Sequence, residues 1–249
     1  MGLGLGNANA NNWLNNPPGS APGFSNKYSI HFDGVNQYLL GSAVPLLGAL
    51  GTGNWSVSFW IKCDAISTGS NQRIWSSGAG GVLQTQMYLT GSGNLQFGGP
   101  WSDGFGWGVS SGTWHHLVYR VNTGSTTLNV GYVLDGSTYN NTNRTITTVF
   151  DTSGSFFIGR NSGTYGFEGN IDEFAIWNKY LSDAECLEIY NGGSGVDLSS
   201  VSAAGNLQNW WRMGDPNGTS SYPTISGAVG SIDLSMTNQA SSNIETDVP

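Results

Sequence analysis

Residues 166–191 read GFEGNIDEFAIWNKYLSDAECLEIYN and hold a strand, a turn and a short helix in succession. Between Asn170 and Asn178, Ile171, Glu173, Ala175 and Trp177 alternate with Asp172, Phe174 and Ile176. Apolar residues fall on both faces of that alternation, which predicts a strand covered on both sides. Ser182 is a good helix N-cap, and Glu185 three residues later completes a capping box in which each side chain satisfies a backbone N–H at the other's position. Leu181 before the cap and Cys186 after it are placed to form a hydrophobic staple. Gly192 and Gly193 then permit the left-handed backbone that ends a helix.

Outward from this stretch the pattern is that of strands. Tyr28, Ile30 and Phe32 alternate with Ser29, His31 and Asp33, and Trp55, Val57, Phe59 and Ile61 alternate with Ser56, Ser58, Trp60 and Lys62. Further strands are expected at 38–40, 72–76, 86–89, 94–97, 113–121, 128–134 and 155–159, separated by Gly, Asn and Asp turn signals. Residues 206–215, NLQNWWRMGD, read as one more strand, with the adjacent Trp210 and Trp211 facing opposite sides. Many short strands with a single helix imply antiparallel sheets packed face to face.

These stretches resemble the laminin-G-like domains of the concanavalin-A-like class. The resemblance runs in order from Phe32-Asp33-Gly34 through the Trp55–Lys62 strand, Trp114-His115-His116, Leu134-Asp135-Gly136 and Ile158-Gly159-Arg160 to Gly169-Asn170-Ile171-Asp172-Glu173 and the Leu181-Ser182 helix start. It implies an all-β fold: an antiparallel two-sheet jelly-roll sandwich with one short helix. The expected organisation is an extended arm over residues 1–26, the sandwich over 27–215 and a C-terminal extension over 216–249. The ending, with Trp210-Trp211-Arg212-Met213-Gly214-Asp215, Met236-Thr237-Asn238 and Asp247-Val248-Pro249, is similar to laminin-G-like proteins encoded among the virion genes of marine bacteriophages.

Composition narrows the partners. The 249 residues include 38 glycines, and only 10% are charged, against roughly 25% in ordinary soluble domains. Sixteen acidic against eight basic residues leave a net charge of −8. Eight scattered cations make no basic patch, which argues against nucleic acid and anionic membrane as partners. No apolar run approaches the roughly 18 residues of a membrane span. The first six residues, MGLGLG, lack the basic and apolar regions of a secretion signal, and Gly6 stands where a myristoylation pattern wants Ser or Thr. Cys63 and Cys186 are expected to be buried free thiols, although sequence does not show whether they lie near each other. The four N-x-[ST] triplets at Asn54, Asn140, Asn143 and Asn217 are read as chance in an Asn- and Thr-rich chain.

Three kinds of chemistry deserve weighing. Glycoside hydrolysis needs two carboxyls roughly 5 to 9.5 Å apart. Glu168 and Asp172 share a strand face but would stand roughly 13 Å apart, and alternation sends Glu173 to the other face. His115 and His116, as neighbours in a strand, also point opposite ways and cannot act on one ligand. Calcium takes six to eight oxygens. The resemblance implies a structural calcium where the early F-D-G turn meets the late I-D-E strand, held by Asp33 and Asp172 with Asn36. The alternative is that Asp33 only shapes its turn by accepting backbone N–H groups. Finally, Trp101, Asp103, Phe105 and Trp107 sit in a glycine-rich stretch read as a loop, where flat rings stack on sugar C–H faces and a carboxylate takes hydroxyl protons. The alternative is that those rings cap the core edge.

The resulting expectation is a non-catalytic virion structural protein, a capsid decoration or cement protein. The expected partners are other virion proteins, engaged through the 1–26 arm and the C-terminal extension, and further copies of the chain in a homo-oligomer. A carbohydrate-binding module acting in adhesion, extracellular or at a cell surface, is the alternative, and a glycoside hydrolase the third reading.

Overall fold

The structure, a computed structural model, describes residues 24–47, 53–66, 71–78, 85–98, 102–123, 127–145, 154–161, 163 and 166–249. In chain order the strands are β1 (Ser29–Asp33), β2 (Tyr38–Gly41), β3 (Trp55–Cys63), β4 (Gln72–Ser77), β5 (Thr85–Leu89), β6 (Asn94–Gly98), β7 (Ser102–Gly108) and β8 (Trp114–Thr123). They continue with β9 (Thr127–Leu134), β10 (Ser137–Thr145), β11 (Phe156–Ile158), β12 (Glu168–Trp177), β13 (Leu207–Trp211), β14 (Thr224–Ile225), β15 (Leu234–Thr237) and β16 (Ile244–Glu245). The helix α1 (Asp183–Tyr190) follows β12.

Two antiparallel sheets form the sandwich. The first runs β10-β9-β8-β3-β12-β1-β16, with β13 also on β12, and the second runs β14-β15-β2-β11-β4-β5-β6-β7. The expected jelly-roll sandwich with one short helix is the observed architecture. The C-terminal segment, expected as an extension, instead supplies edge strands to both sheets. Ile244 pairs with Ile30 in the first, and Ser235 with Leu40 in the second. Asp247 ties this segment down further, accepting from the Trp114 indole and the Lys62 ammonium.

Alternation explains the core. Ile30, Phe32, Leu39, Trp55, Val57, Phe59, Ile61, Trp75, Phe97, Phe156, Phe174 and Trp211 interdigitate between the sheets. Phe59 stacks on Phe174 with ring centres 5.2 Å apart, and Phe156 on Trp211 at 5.6 Å. A second apolar layer covers the outer side of the first sheet, where Val118, Val133, Ala175 and Trp177 meet Leu181, Cys186 and Ile189 of the helix region and Val196, Leu198 and Val201 beyond it. The expectation that β12 is covered on both faces therefore holds.

The capping box forms as expected, with Ser182 and Glu185 reciprocally bonded, and Leu181 and Cys186 are both buried in the outer layer. Asn191, not a glycine, is the first residue to turn left-handed at the helix end, with φ 48°, and Gly192 and Gly193 follow. Buried Arg120 of β8 holds the helix start by donating to the Leu181 carbonyl at 2.9 Å and to Asp183 at 2.6 Å. The glycine of the G-N-I-D-E run has a backbone reason: Gly169 has φ 135°, and a Cβ there would run into the Lys62 carbonyl oxygen.

Candidate functional site

The second sheet turns its inner side to the core through Leu39, Phe156, Ile158, Trp75, Met87 and Phe97. Their strand neighbours therefore face outward. Register aligns these in a row that crosses the strands: Ser235 opposite Leu40, Leu40 opposite Phe157, Phe157 opposite Ser76, and Ser76 opposite Gln86. Beside it, Arg73 pairs with Tyr88 and Tyr88 with Gln96. Tyr38, Phe157, Arg160, Arg73, Gln86 and Gln96 are all half-buried. The Arg160 guanidinium lies 4.7 Å over the Tyr38 ring, which sits 5.8 Å from Phe157, and Arg73 lies 4.1 Å over Tyr88. Gln86 Oε1 has no hydrogen-bond partner among the described residues. Chemically, this face offers ring surfaces for C–H groups beside guanidinium donors and amides that both donate and accept.

A second polar assembly is enclosed. Strand β12 gives one edge to β3 along its length, but its other edge changes partner, from β1 over 168–171 to β13 over 174–177. A bulge falls at that junction: Asp172 is opposite Trp60 and Ala175 opposite Ser58, so three steps on β12 face two on β3. Glu173 takes φ 48° there, a conformation that costs a side-chain-bearing residue about 1–2 kcal/mol. The bulge overturns the expectation from alternation, because Asp172 and Glu173 both lie on the outer side. Asp172 accepts from Asn26 Nδ2 at 2.8 Å and from its neighbour's N–H at 2.8 Å. Glu173 accepts from the Trp210 indole at 2.5 Å and faces Arg212 Nε at 3.4 Å. Arg212 also donates to the Ser25 carbonyl at 2.6 Å and lies 4.6 Å over the Phe24 ring. Burial, and then the charge of Glu173, push Asp172 well above the usual carboxylate range. Burial raises Glu173 to about 7 against the pull of Arg212 and Trp210. Asp172 and Glu173 are 0% and 4% exposed, so this pair closes the strand junction and does not face a groove, as a glycosidase would require.

The sequence-predicted residues are distributed as follows. Asp33 Oδ1 accepts the N–H groups of Val35, Asn36 and Gln37 at 2.9, 3.1 and 3.3 Å, the turn-shaping alternative. Asp33 is in register with Glu168, four residues from Asp172, which sets the two carboxylates about 13 Å apart. Asp33 and Asn36 share a turn, but Asp172 is elsewhere, fully buried and bonded to protein. The residues thus do not fit one calcium ion, and among the described residues no group of three or more His, Cys, Asp or Glu is gathered for a metal. Of the aromatic stretch, Trp101 lies outside the described residues. Asp103, Phe105 and Trp107 stand in β7, an edge strand where a loop was expected, with Asp103 opposite Phe97 and Gly104 opposite Gln96. His115 meets Asp135 at 2.8 Å and Ser110, whereas His116 is buried against Trp60 at 4.8 Å, so the two do point apart.

Sequence reasoning missed Tyr38, Phe157 and Arg160 on the open face, and Asn26 and Arg212 at the junction. Two signals were available. The unbroken apolar runs Tyr38-Leu39-Leu40 and Phe156-Phe157-Ile158 force apolar side chains outward, and Arg212 is one of only eight cations.

Among curated proteins none matches the chain. Its fold is shared with solved structures. A protein of Bacteroides ovatus named for carbohydrate binding aligns with a TM-score of 0.63 at 18% identity over 86% of this chain, and this chain spans only 59% of that one. The native heptameric SAP-like pentraxin of Limulus polyphemus aligns with a TM-score of 0.53 at 14% identity, covering 86% of this chain and 96% of that one. A laminin G family matches residues 33–186, which hold the Asp33 turn, the open face from Tyr38 to Arg160 and the bulged strand β12. On that match and this sandwich, the chain belongs to the concanavalin A-like lectin/glucanases superfamily.

Proposed function

We propose that this chain is a non-catalytic carbohydrate-binding module that holds a glycan on the outer face of its second sheet. The observation that carries the reading is the cross-strand row Leu40–Phe157–Ser76–Gln86, flanked by the Arg160–Tyr38 and Arg73–Tyr88 pairs. The half-buried rings of Tyr38 and Phe157 supply faces for pyranose C–H groups, and the guanidinium and amide groups beside them match hydroxyls that both donate and accept. The first sheet is unsuited to this role, since its outer side is packed under α1 and residues 195–204. Family membership and the Bacteroides ovatus neighbour support the same reading.

The test is a glycan array probed with the full chain, followed by calorimetry on the hits. Phe157→Ala and Arg160→Ala are each expected to weaken binding about tenfold, the equivalent of one good contact, with the melting temperature nearly unchanged. A silent array, or hits that both variants bind as well as the parent, would overturn the reading.

The virion role expected from the sequence rests on the missing secretion-signal pattern, on the similarity of the C-terminal ending to phage virion proteins and on the 1–26 arm, of which residues 1–23 lie outside the described residues. Carbohydrate binding has the better support, and the two are compatible, because a decoration protein can also carry a glycan site. High copy number in purified particles, measured by mass spectrometry, is the expected result if the chain serves both roles.

A further inference from the structure

Residues 212–228 lie beyond the family match; they follow β13, include β14 and line a crevice of about 350 Å³. Its lining includes groups that both donate and accept: Asn217, Ser220, Thr224 and Ser226. Arg212 forms one wall. Its Nε faces Glu173, and its Nη2 donates to the Ser25 carbonyl and faces Asp215. Asp215 Oδ2 accepts the Lys27 N–H at 2.8 Å, while its Oδ1 is buried with no hydrogen-bond partner among the described residues.

The charge balance selects the ligand. One guanidinium already faces two carboxylates, those of Glu173 and Asp215. Lys27 adds a second cation beside Asp215, so the charges about the crevice nearly cancel and neither an anion nor a cation finds a net attraction there. What the crevice offers is hydroxyls and an amide beside the Arg212 wall, with volume in the range of small-ligand sites.

We infer that this crevice, at the edge of the second sheet where β14 joins β15, is a second binding site, and that it takes one neutral polyhydroxylated ring, a single sugar unit. It stands whether or not the outer face of the second sheet binds a glycan, because no residue is shared between them. Both sites on one chain would allow a branched or folded-back glycan to be held at two points.

The experiment is a titration of isotopically labelled full-length chain with glucose, galactose, mannose, arabinose and N-acetylglucosamine, followed by amide NMR shifts. Sodium sulfate and glucuronate serve as anionic probes. At least one neutral sugar is expected to shift amides within 212–228 saturably. The Asn217→Ala/Ser220→Ala double variant is expected to weaken that binding at least about tenfold, while Phe157→Ala leaves it unchanged. Both double-variant positions are exposed, so the fold should persist, and unchanged amide shifts elsewhere verify that. The inference is overturned if no neutral sugar gives saturable shifts there, if the anions bind more tightly, or if the double variant binds as the parent does. Loss of binding in Phe157→Ala with the double variant unaffected would assign the sugar to the sheet face alone.

Discussion

Trp210 and Trp211 are adjacent in the chain yet serve opposite sides of one sheet. The Trp210 indole donates to Glu173 in the outer layer, and the Trp211 indole donates to the Ile232 carbonyl at 2.7 Å from the inter-sheet core. This short strand therefore fastens the bulged β12, the arm residues Phe24 to Asn26 and the C-terminal segment to one another.

The two tryptophans should fail differently. Trp211→Ala empties a fully buried site between Phe156 and Phe174 and is expected to cost about 3–5 kcal/mol in chemical denaturation. Trp210→Phe keeps most of the ring but removes the donor to Glu173, with an expected cost of about 1–3 kcal/mol. Equal losses would contradict the division of the two rings between layers.

Stability should depend on pH through Glu173. Its folded-state pKa of about 7 lies above the ordinary 4.5, so the folded chain keeps a proton that the unfolded chain releases. That contribution is complete below about pH 4.5 and is lost as pH rises through 7. Asp172 acts in the same direction. His116 opposes them, since burial lowers it from 6.5 to about 3 and stability from it grows as pH rises across that window. Comparing the parent with Glu173→Gln cancels the histidine. The parent's stability relative to the variant is expected to fall between pH 4.5 and 7 and then level off. A flat difference would show that Glu173 titrates normally.

Both cysteines should resist modification. Cys63 packs in the inter-sheet core and Cys186 in the outer layer, each a free thiol pushed up to about 12 by burial. A thiol reagent at neutral pH is expected to find no reactive group in the folded chain and two per chain in denaturant without reductant. None in denaturant would mean that they pair.

Chelation tests the calcium expectation. Asp33 is satisfied by its own turn and Asp172 by Asn26, so adding EDTA is expected to leave the melting temperature unchanged. A fall of several degrees would mean that an ion is held by a ligand set other than Asp33, Asn36 and Asp172.

The sequence alone determined what depends on local backbone geometry. Alternation in β3 and β12 identified a sandwich whose strands bury one face or both. Ser182 and Glu185 announced the helix start, and the adjacency of Trp210 and Trp211 placed them on opposite sides, because successive residues of a strand must face apart. Only tertiary structure decided where that rule breaks. The bulge at Glu173 falls where β12 changes partner from β1 to β13, a junction set by strands more than a hundred residues apart in sequence. It brings Asp172 and Glu173 to one side, gathers Asn26 and Arg212 around them, and keeps Asp33 about four residue pairs away. The row from Leu40 to Gln86 has the same origin. Its members come from four separate strands, and register between distant segments, which no local pattern encodes, is what aligns them.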